Sequence, residues 1–259
     1  MAPTQAGDTS LQDQRQALEA IHTERRIVEL KLDPVLGSFD LVHLKEMNRR
    51  IFQDLPGLGF ADVTPGVLRP AVAGGDWMKE RELETIMQPS FVAYSRMDQS
   101  ALTRLDNALA AADPDRLGRL DTAEFTQAMG KLYAELDYVH PFNDGNSRTL
   151  REFTKQLADA SGYELDWDRF NASPAGRDVL YVARDLSVNE LALPDIRQPG
   201  NKRDVLYTLD IYDGSRKLPD LLKDAIEPKL DREKHQERSA PSPTPSRDAR
   251  RKKDIDFDR

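Results

Sequence analysis

For most of the chain, apolar positions recur at the three- and four-residue spacing of helices that bury one side. Leu18, Ile21 and Val28 share a face in the helix-favouring segment from Leu11 to Leu32. From Ser38 to Leu55, the residues Leu41, Leu44, Met47, Ile51 and Leu55 form one stripe, and Ser38 or Asp40 can cap its start. The pattern breaks between Pro56 and Asp76, which is rich in glycine and proline. There Val67, Leu68, Val72 and Trp77 point to short extended pieces around Gly74-Gly75, a loop with a β-hairpin. Helical composition resumes from Met78. Asp121 followed by Glu124 has the form of a capping box, and the helix behind it carries Phe125, Met129, Leu132, Tyr133 and Leu136 on one face. It should stop near His140, because the residue before Pro141 is biased away from helix. After an Asp144-Gly145-Asn146 turn a new stripe runs through Leu150, Phe153 and Leu157, ending near Ser161-Gly162.

Further on, Arg177-Asp-Val-Leu-Tyr181 recurs as Arg203-Asp-Val-Leu-Tyr207. The repeat is too short for a solenoid and fits two similar amphipathic segments in a helical C-terminal extension. The predicted organisation is a disordered N-terminus over residues 1–10, a mainly helical domain with a small β insertion over 11–195, a helical extension over 196–227, and a disordered charged tail over 228–259.

Composition narrows the chemistry. The 259 residues are 39% hydrophobic and 32% charged, and they include no cysteine, which excludes disulfides, thiolate metal sites and a cysteine nucleophile. There is neither a signal-peptide pattern nor an apolar run of membrane-spanning length, so the expected location is the cytoplasm, without membrane contact. The net charge of −8 is uneven: residues 228–259 carry ten Lys/Arg against seven Asp/Glu, which leaves an acidic body. Such a body argues against a specific nucleic-acid surface. The basic tail is a solubilising end, a weak nucleic-acid contact or a secretion signal.

The run His140-Pro141-Phe142-Asn143-Asp144-Gly145-Asn146-Ser147-Arg148-Thr149-Leu150-Arg151 concentrates the candidate chemistry. A histidine that titrates near neutrality ends one helix, and the next helix begins after a glycine turn. Its N-terminus offers unpaired N–H groups and a positive dipole end suited to phosphate. Glycine permits close backbone approach. Arg148 and Arg151 share a helix face and can grip a polyphosphate, and Asp144 is placed to hold Mg²⁺ against the same phosphates. Base, metal ligand, anion hole and two cations point to phosphoryl-type chemistry.

This run closely resembles the Fic family motif, His-x-Phe-x-Asp/Glu-Gly-Asn-Gly/Lys-Arg-x-x-Arg, departing only at Ser147. The resemblance extends over about residues 38–195 and implies a Fic-type helical core with an inserted β-hairpin flap. It implies that His140 deprotonates a target hydroxyl, that Phe142 packs into the core, and that Asp144 binds Mg²⁺. It further implies that Gly145, Asn146 and Ser147 hold the α-phosphate of ATP, Arg148 the β/γ-phosphates and Arg151 the γ-phosphate. The hydroxyl would attack the α-phosphorus, expel pyrophosphate and leave AMP on a Ser, Thr or Tyr of a target protein. Val67, Leu68, Arg69 and Val72 would form the flap that docks that target as an added strand. Ser147 is small enough for this chemistry. The related Doc kinase has a lysine there and transfers the γ-phosphate, so γ-transfer is the alternative within the enzyme class. A non-catalytic binding module is the alternative outside it.

Family inhibitory helices carry Ser/Thr-x-x-x-Glu-Gly/Asn, and no glutamate of this chain has that context. The resemblance therefore implies a bacterial toxin or effector restrained by a separate small antitoxin that supplies a glutamate helix. Relatives of both kinds suggest as targets a type II topoisomerase or a host GTPase, and the chain could be translocated into a target cell. Asp113 to Glu124 mimics a calcium loop, but Leu117 stands where an oxygen ligand is needed, so a plain inter-helix loop is expected.

Overall fold

The computed structural model describes residues 5–230, with side chains from Leu11 onwards. In chain order the elements are α1 (Gln5–Leu32), α2 (Leu41–Phe52), β1 (Trp77–Arg81), β2 (Ser90–Tyr94), α3 (Gln99–Ala110), α4 (Pro114–Leu117), α5 (Thr122–Val139), α6 (Asn146–Ala160), β3 (Tyr163–Leu165), α7 (Pro174–Ala192), α8 (Pro199–Ile211), α9 (Leu218–Leu222) and β4 (Ile226–Pro228). The mainly helical class expected from the periodicity is what forms.

The stripes on α2, α5 and α6 meet in one core. Leu44, Met47 and Ile51 pack with Phe125, Met129, Leu136, Leu150, Phe153 and Leu157, all essentially buried. Burying a side chain of this size stabilises by roughly 1.5–3 kcal/mol, so these stripes fix α5 and α6 against each other before any polar contact is counted. Local signals hold the ends. Asp40 accepts from the His43 amide at the start of α2, and Asp121 and Glu124 make the reciprocal capping box on α5. Between α2 and α6, the Asn48 side chain donates to Thr149 Oγ1 at 3.1 Å and accepts from the Gly66 amide at 2.7 Å.

A second, smaller cluster lies under the antiparallel β1–β2 hairpin, in which Trp77 opposes Tyr94 and Arg81 opposes Ser90. Buried polar residues of α7 fasten this hairpin. Asn189 bonds the Ala93 amide and the Phe91 carbonyl, Asp185 takes Arg81 and the Ser90 hydroxyl, and Asp178 takes the Glu84 and Thr85 amides. The extension closes the fold where β4 pairs with β3.

Several expectations are corrected. The hairpin is not around Gly74-Gly75 but over 77–81 and 90–94, and helix resumes only at Gln99. The charged run Lys79-Glu80-Arg81-Glu82 has helical composition, yet Trp77 and Arg81 at the two ends of the strand pack inward, and that packing outweighs propensity. Helix α1 begins at Gln5 rather than near Leu11, since only Gly7 interrupts its helix-compatible polar start. The calcium-like loop is a pair of caps: Asp113 accepts from the Asp115 and Arg116 amides, and Asp121 starts α5. Among the described residues no group of three His, Asp or Glu side chains could hold a metal ion. The tail expected over 228–259 lies outside the described residues from 231 onward.

Candidate active site

Helix α5 ends where expected, and the residue at its end is held under constraint. His140 adopts a left-handed conformation (φ 50°, ψ 63°), its amide still bonded to the Leu136 carbonyl at 3.1 Å. Such a backbone is uncommon outside glycine, and surrounding groups hold it. Arg69 donates through Nε to the His140 carbonyl at 2.6 Å and through Nη2 to the carbonyls of Ser95 at 2.6 Å and Val139 at 3.1 Å. Its guanidinium lies 3.6 Å from the Trp77 ring centroid. A buried cation thus meets the negative end of the α5 dipole.

The imidazole is packed between Tyr94, with ring centroids 3.9 Å apart, and Trp77 at 5.2 Å. Its Nδ1 stands 3.6 Å from Asp137 Oδ1, one helical turn earlier. Burial pushes the His140 pKa down, against the pull of Asp137, so the ring is neutral and able to accept a proton. Burial alone would raise Asp137, but Arg184 overrides it. Nε and Nη2 of that arginine donate to Asp137 Oδ2 at 3.1 and 2.9 Å and hold the carboxyl well below its usual range. The remaining Arg184 donor, Nη1, reaches Ser147 Oγ at 2.9 Å.

The loop to α6 turns on Gly145 at φ 74°, where an added Cβ would lie 1.9 Å from Phe52 Cζ. Only glycine fits. Lacking a side chain, it leaves the first-turn N–H groups of α6 uncapped, as an anion site requires. Asn146 braces the loop: its Oδ1 accepts from the Phe142 amide at 2.9 Å, and its Nδ2 donates to the Phe142 carbonyl at 2.7 Å. The Asn146 side chain is therefore engaged by the loop, and its backbone is what remains for an anion. Phe142 is buried, as expected.

The outer part of the site is more open. Asp144 is exposed, makes no hydrogen bond or ion pair among the described residues, and has its pKa raised by partial desolvation and by Glu19 and Asp62. A carboxylate with no direct partner, near other carboxylates, fits a divalent cation shared with a nucleotide's phosphates. Arg148 lies over the Phe52 ring, donates to Thr23 Oγ1 at 2.8 Å and forms an ion pair with Glu19 of α1. Arg151 donates to the Ser147 carbonyl at 3.3 Å and forms no ion pair among the described residues.

The expected flap residues are elsewhere. Leu68 makes an isolated bridge with Phe142, and the Val67, Arg69 and Val72 amides already bond Thr64, Pro141 and Arg96. Arg69 is only 4% exposed. These contacts engage all four, whereas among the described residues β1 pairs only with β2 and leaves its other edge open. Sequence reasoning missed Asp137, Arg184, Tyr94 and Glu19. Asp137 had a readable signal, a carboxylate one turn before the histidine on the same helix, whereas the others come from distant segments.

Residues 38–158 match the family model described as Fic/DOC family. Over 145 residues the chain is 33% identical to the protein adenylyltransferase VbhT of Bartonella schoenbuchensis, covering 56% of this chain and 26% of that protein. It is 27% identical over 146 residues to a protein adenylyltransferase of Bartonella henselae, with the same two shares. The chain thus spans about a quarter of the length of these curated relatives. Two solved structures share its fold. The N-terminal Fic domain of a VirB-translocated Bep effector from Bartonella quintana, with bound ADP, has a TM-score of 0.57 at 21% identity and covers 85% of this chain and 88% of that one. BepC of Bartonella tribocorum, with bound AMPPNP, has a TM-score of 0.56 at 15% identity and covers 84% and 88%. With the twelve-residue motif seated between α5 and α6, residues 38–158 of this chain are similar to the Fic/DOC family over the stretch that holds the site.

Proposed function

We propose that the protein is an adenylyltransferase that moves AMP from ATP to a Ser, Thr or Tyr hydroxyl of a target protein, releasing pyrophosphate. The observation that carries this reading is the neutral, packed His140 at the end of α5, seven residues before Ser147 in the uncapped first turn of α6. His140 takes the hydroxyl proton. The backbone of Gly145 to Ser147 holds the α-phosphate, and Arg148 and Arg151 hold the outer phosphates. Asp144 holds Mg²⁺, which when bound neutralises phosphate charge. The free edge of β1 aligns the target backbone as an added strand. The similarity to two named adenylyltransferases supports the same assignment.

No helix among the described residues is long and apolar enough to cross a membrane. The proposed target is a protein met in the bacterial cytoplasm or in a cell into which the enzyme is delivered. A type II topoisomerase and a small GTPase are the two classes to assay first. Restraint by a separate antitoxin fits the open Arg151, which an incoming glutamate can pair. Incubation with candidate targets and ATP labelled at the α or γ phosphate tests the reaction. Protein-bound α label that disappears in His140→Ala is expected. Bound γ label would replace this reading with phosphorylation, and absence of any label with a binding module.

A further inference from the structure

Behind the imidazole lies a buried charge relay that the motif does not contain. Asp137 is 1% exposed and Arg184 is 2% exposed. Arg184 occupies one Asp137 oxygen and reaches Ser147 through Nη1, so a bonded chain Asp137–Arg184–Ser147 ends against His140. At the His140 end, two buried atoms face each other without a bond. Asp137 Oδ1 and His140 Nδ1 each lack a hydrogen-bond partner and stand 3.6 Å apart. A closure of about half an ångström makes the bond, and it forms only if Nδ1 carries the proton.

We propose that Asp137 is the positioning residue for the base, fixing His140 in the Nδ1–H tautomer, and that Arg184 keeps Asp137 ionised and ties it to Ser147. This rests on the reading of His140 as the base. The tautomer leaves the Nε2 lone pair free. As the target oxygen bonds to the α-phosphorus, its O–H bond breaks and the proton passes to Nε2. The bond to pyrophosphate breaks with its electron pair leaving on pyrophosphate. The imidazolium so formed sits beside a carboxylate whose other oxygen is already neutralised. The other groups facing the ring oppose its charge or are neutral: Arg69 from the 56–76 loop, Arg184 from α7, the Trp77 indole on β1 and the Tyr94 phenol on β2. Asp137 supplies the negative charge that favours protonation. Ser147 thereby gains a reason for standing where the motif has Gly or Lys: its hydroxyl receives the end of the relay.

The test has an activity arm and a structural arm. In Asp137→Asn, α-label transfer should fall about 10- to 1000-fold, within the range for disturbing a general base, with KM for ATP changed less than about 2-fold. The acid limb of its pH–rate profile should move to lower pH. Because Asp137→Asn strands a buried arginine, the double variant Asp137→Asn/Arg184→Met serves as a folded control and should show the same displaced limb. ¹⁵N NMR of His140 should show the Nδ1–H tautomer in the wild-type protein and its loss in either variant. A wild-type profile in both variants, or an Nε2–H ring in the wild-type protein, would overturn the relay. Wild-type transfer by His140→Ala would instead remove the base reading itself, and the NMR result judges the tautomer in either case.

Discussion

The two halves of the site are built on different physics. Around His140 everything is packed and paired: an imidazole between two aromatic rings, an arginine on the helix-end carbonyls, and a carboxylate–guanidinium pair that is almost wholly buried. Around Asp144, Arg148 and Arg151 the groups are partly solvated, and one cation is paired with Glu19 of α1. The difference matches the tasks. Proton transfer needs a fixed geometry and a controlled dielectric, which burial supplies. Phosphate binding needs charges that can exchange partners, and a half-exposed ion pair exchanges cheaply.

The largest test of this contrast is at the buried end. Arg184→Leu leaves Asp137 as an uncompensated buried carboxylate, and thermal or urea unfolding should show a loss of about 3–5 kcal/mol. Next comes the junction between the halves. Gly145→Ala meets both a left-handed backbone and the Phe52 ring, so calorimetry should register about 1–3 kcal/mol of destabilisation together with weakened nucleotide binding. At the open end the effect is smaller and of opposite sign. Glu19→Ala frees Arg148, and titration calorimetry should show ATP bound about 2- to 5-fold more tightly, as an ion pair worth up to about 1 kcal/mol implies. Unchanged or weaker binding would mean that Glu19 does not compete with phosphate.

The pH dependence sharpens the same contrast. Burial lowers the His140 pKa below the unfolded value of about 6.5. The folded state therefore resists taking up a proton that the unfolded chain accepts. The penalty is absent above about pH 6.5 and grows as the pH falls through that value. Denaturation midpoints followed from pH 8 to pH 5 should decline more for the wild-type protein than for His140→Ala.

Regularities of short range were legible before any coordinates. The capping box at Asp121/Glu124, the stop of α5 at His140, the Gly145 turn and the apolar stripes of α2, α5 and α6 each depend on residues a few positions apart. The hairpin was misplaced because Lys79 to Glu82 carries helical composition, and only packing of Trp77 and Arg81 against α5 and α7 makes it a strand. On α7, the residues Asp178, Asp185 and Asn189 look like a solvated face. Their spacing of seven and four instead places them on the one stripe that receives the hairpin.

By itself the sequence determined the helical class, the twelve-residue motif and the order of base, turn and cations along it, because these are set by local periodicity and by spacing within one α–turn–α unit. The tertiary structure decided the rest. It put Asp137 and Arg184 behind the base, turned Arg69 from an expected docking residue into a clamp on a helix end, committed the Asn146 side chain to its own loop, and set Glu19 on Arg148. Each of these, Asp137 and Asn146 aside, joins residues dozens of positions apart. The pairing is chosen by which buried charge or donor would otherwise go unsatisfied, and that requirement exists only once the chain has closed around it.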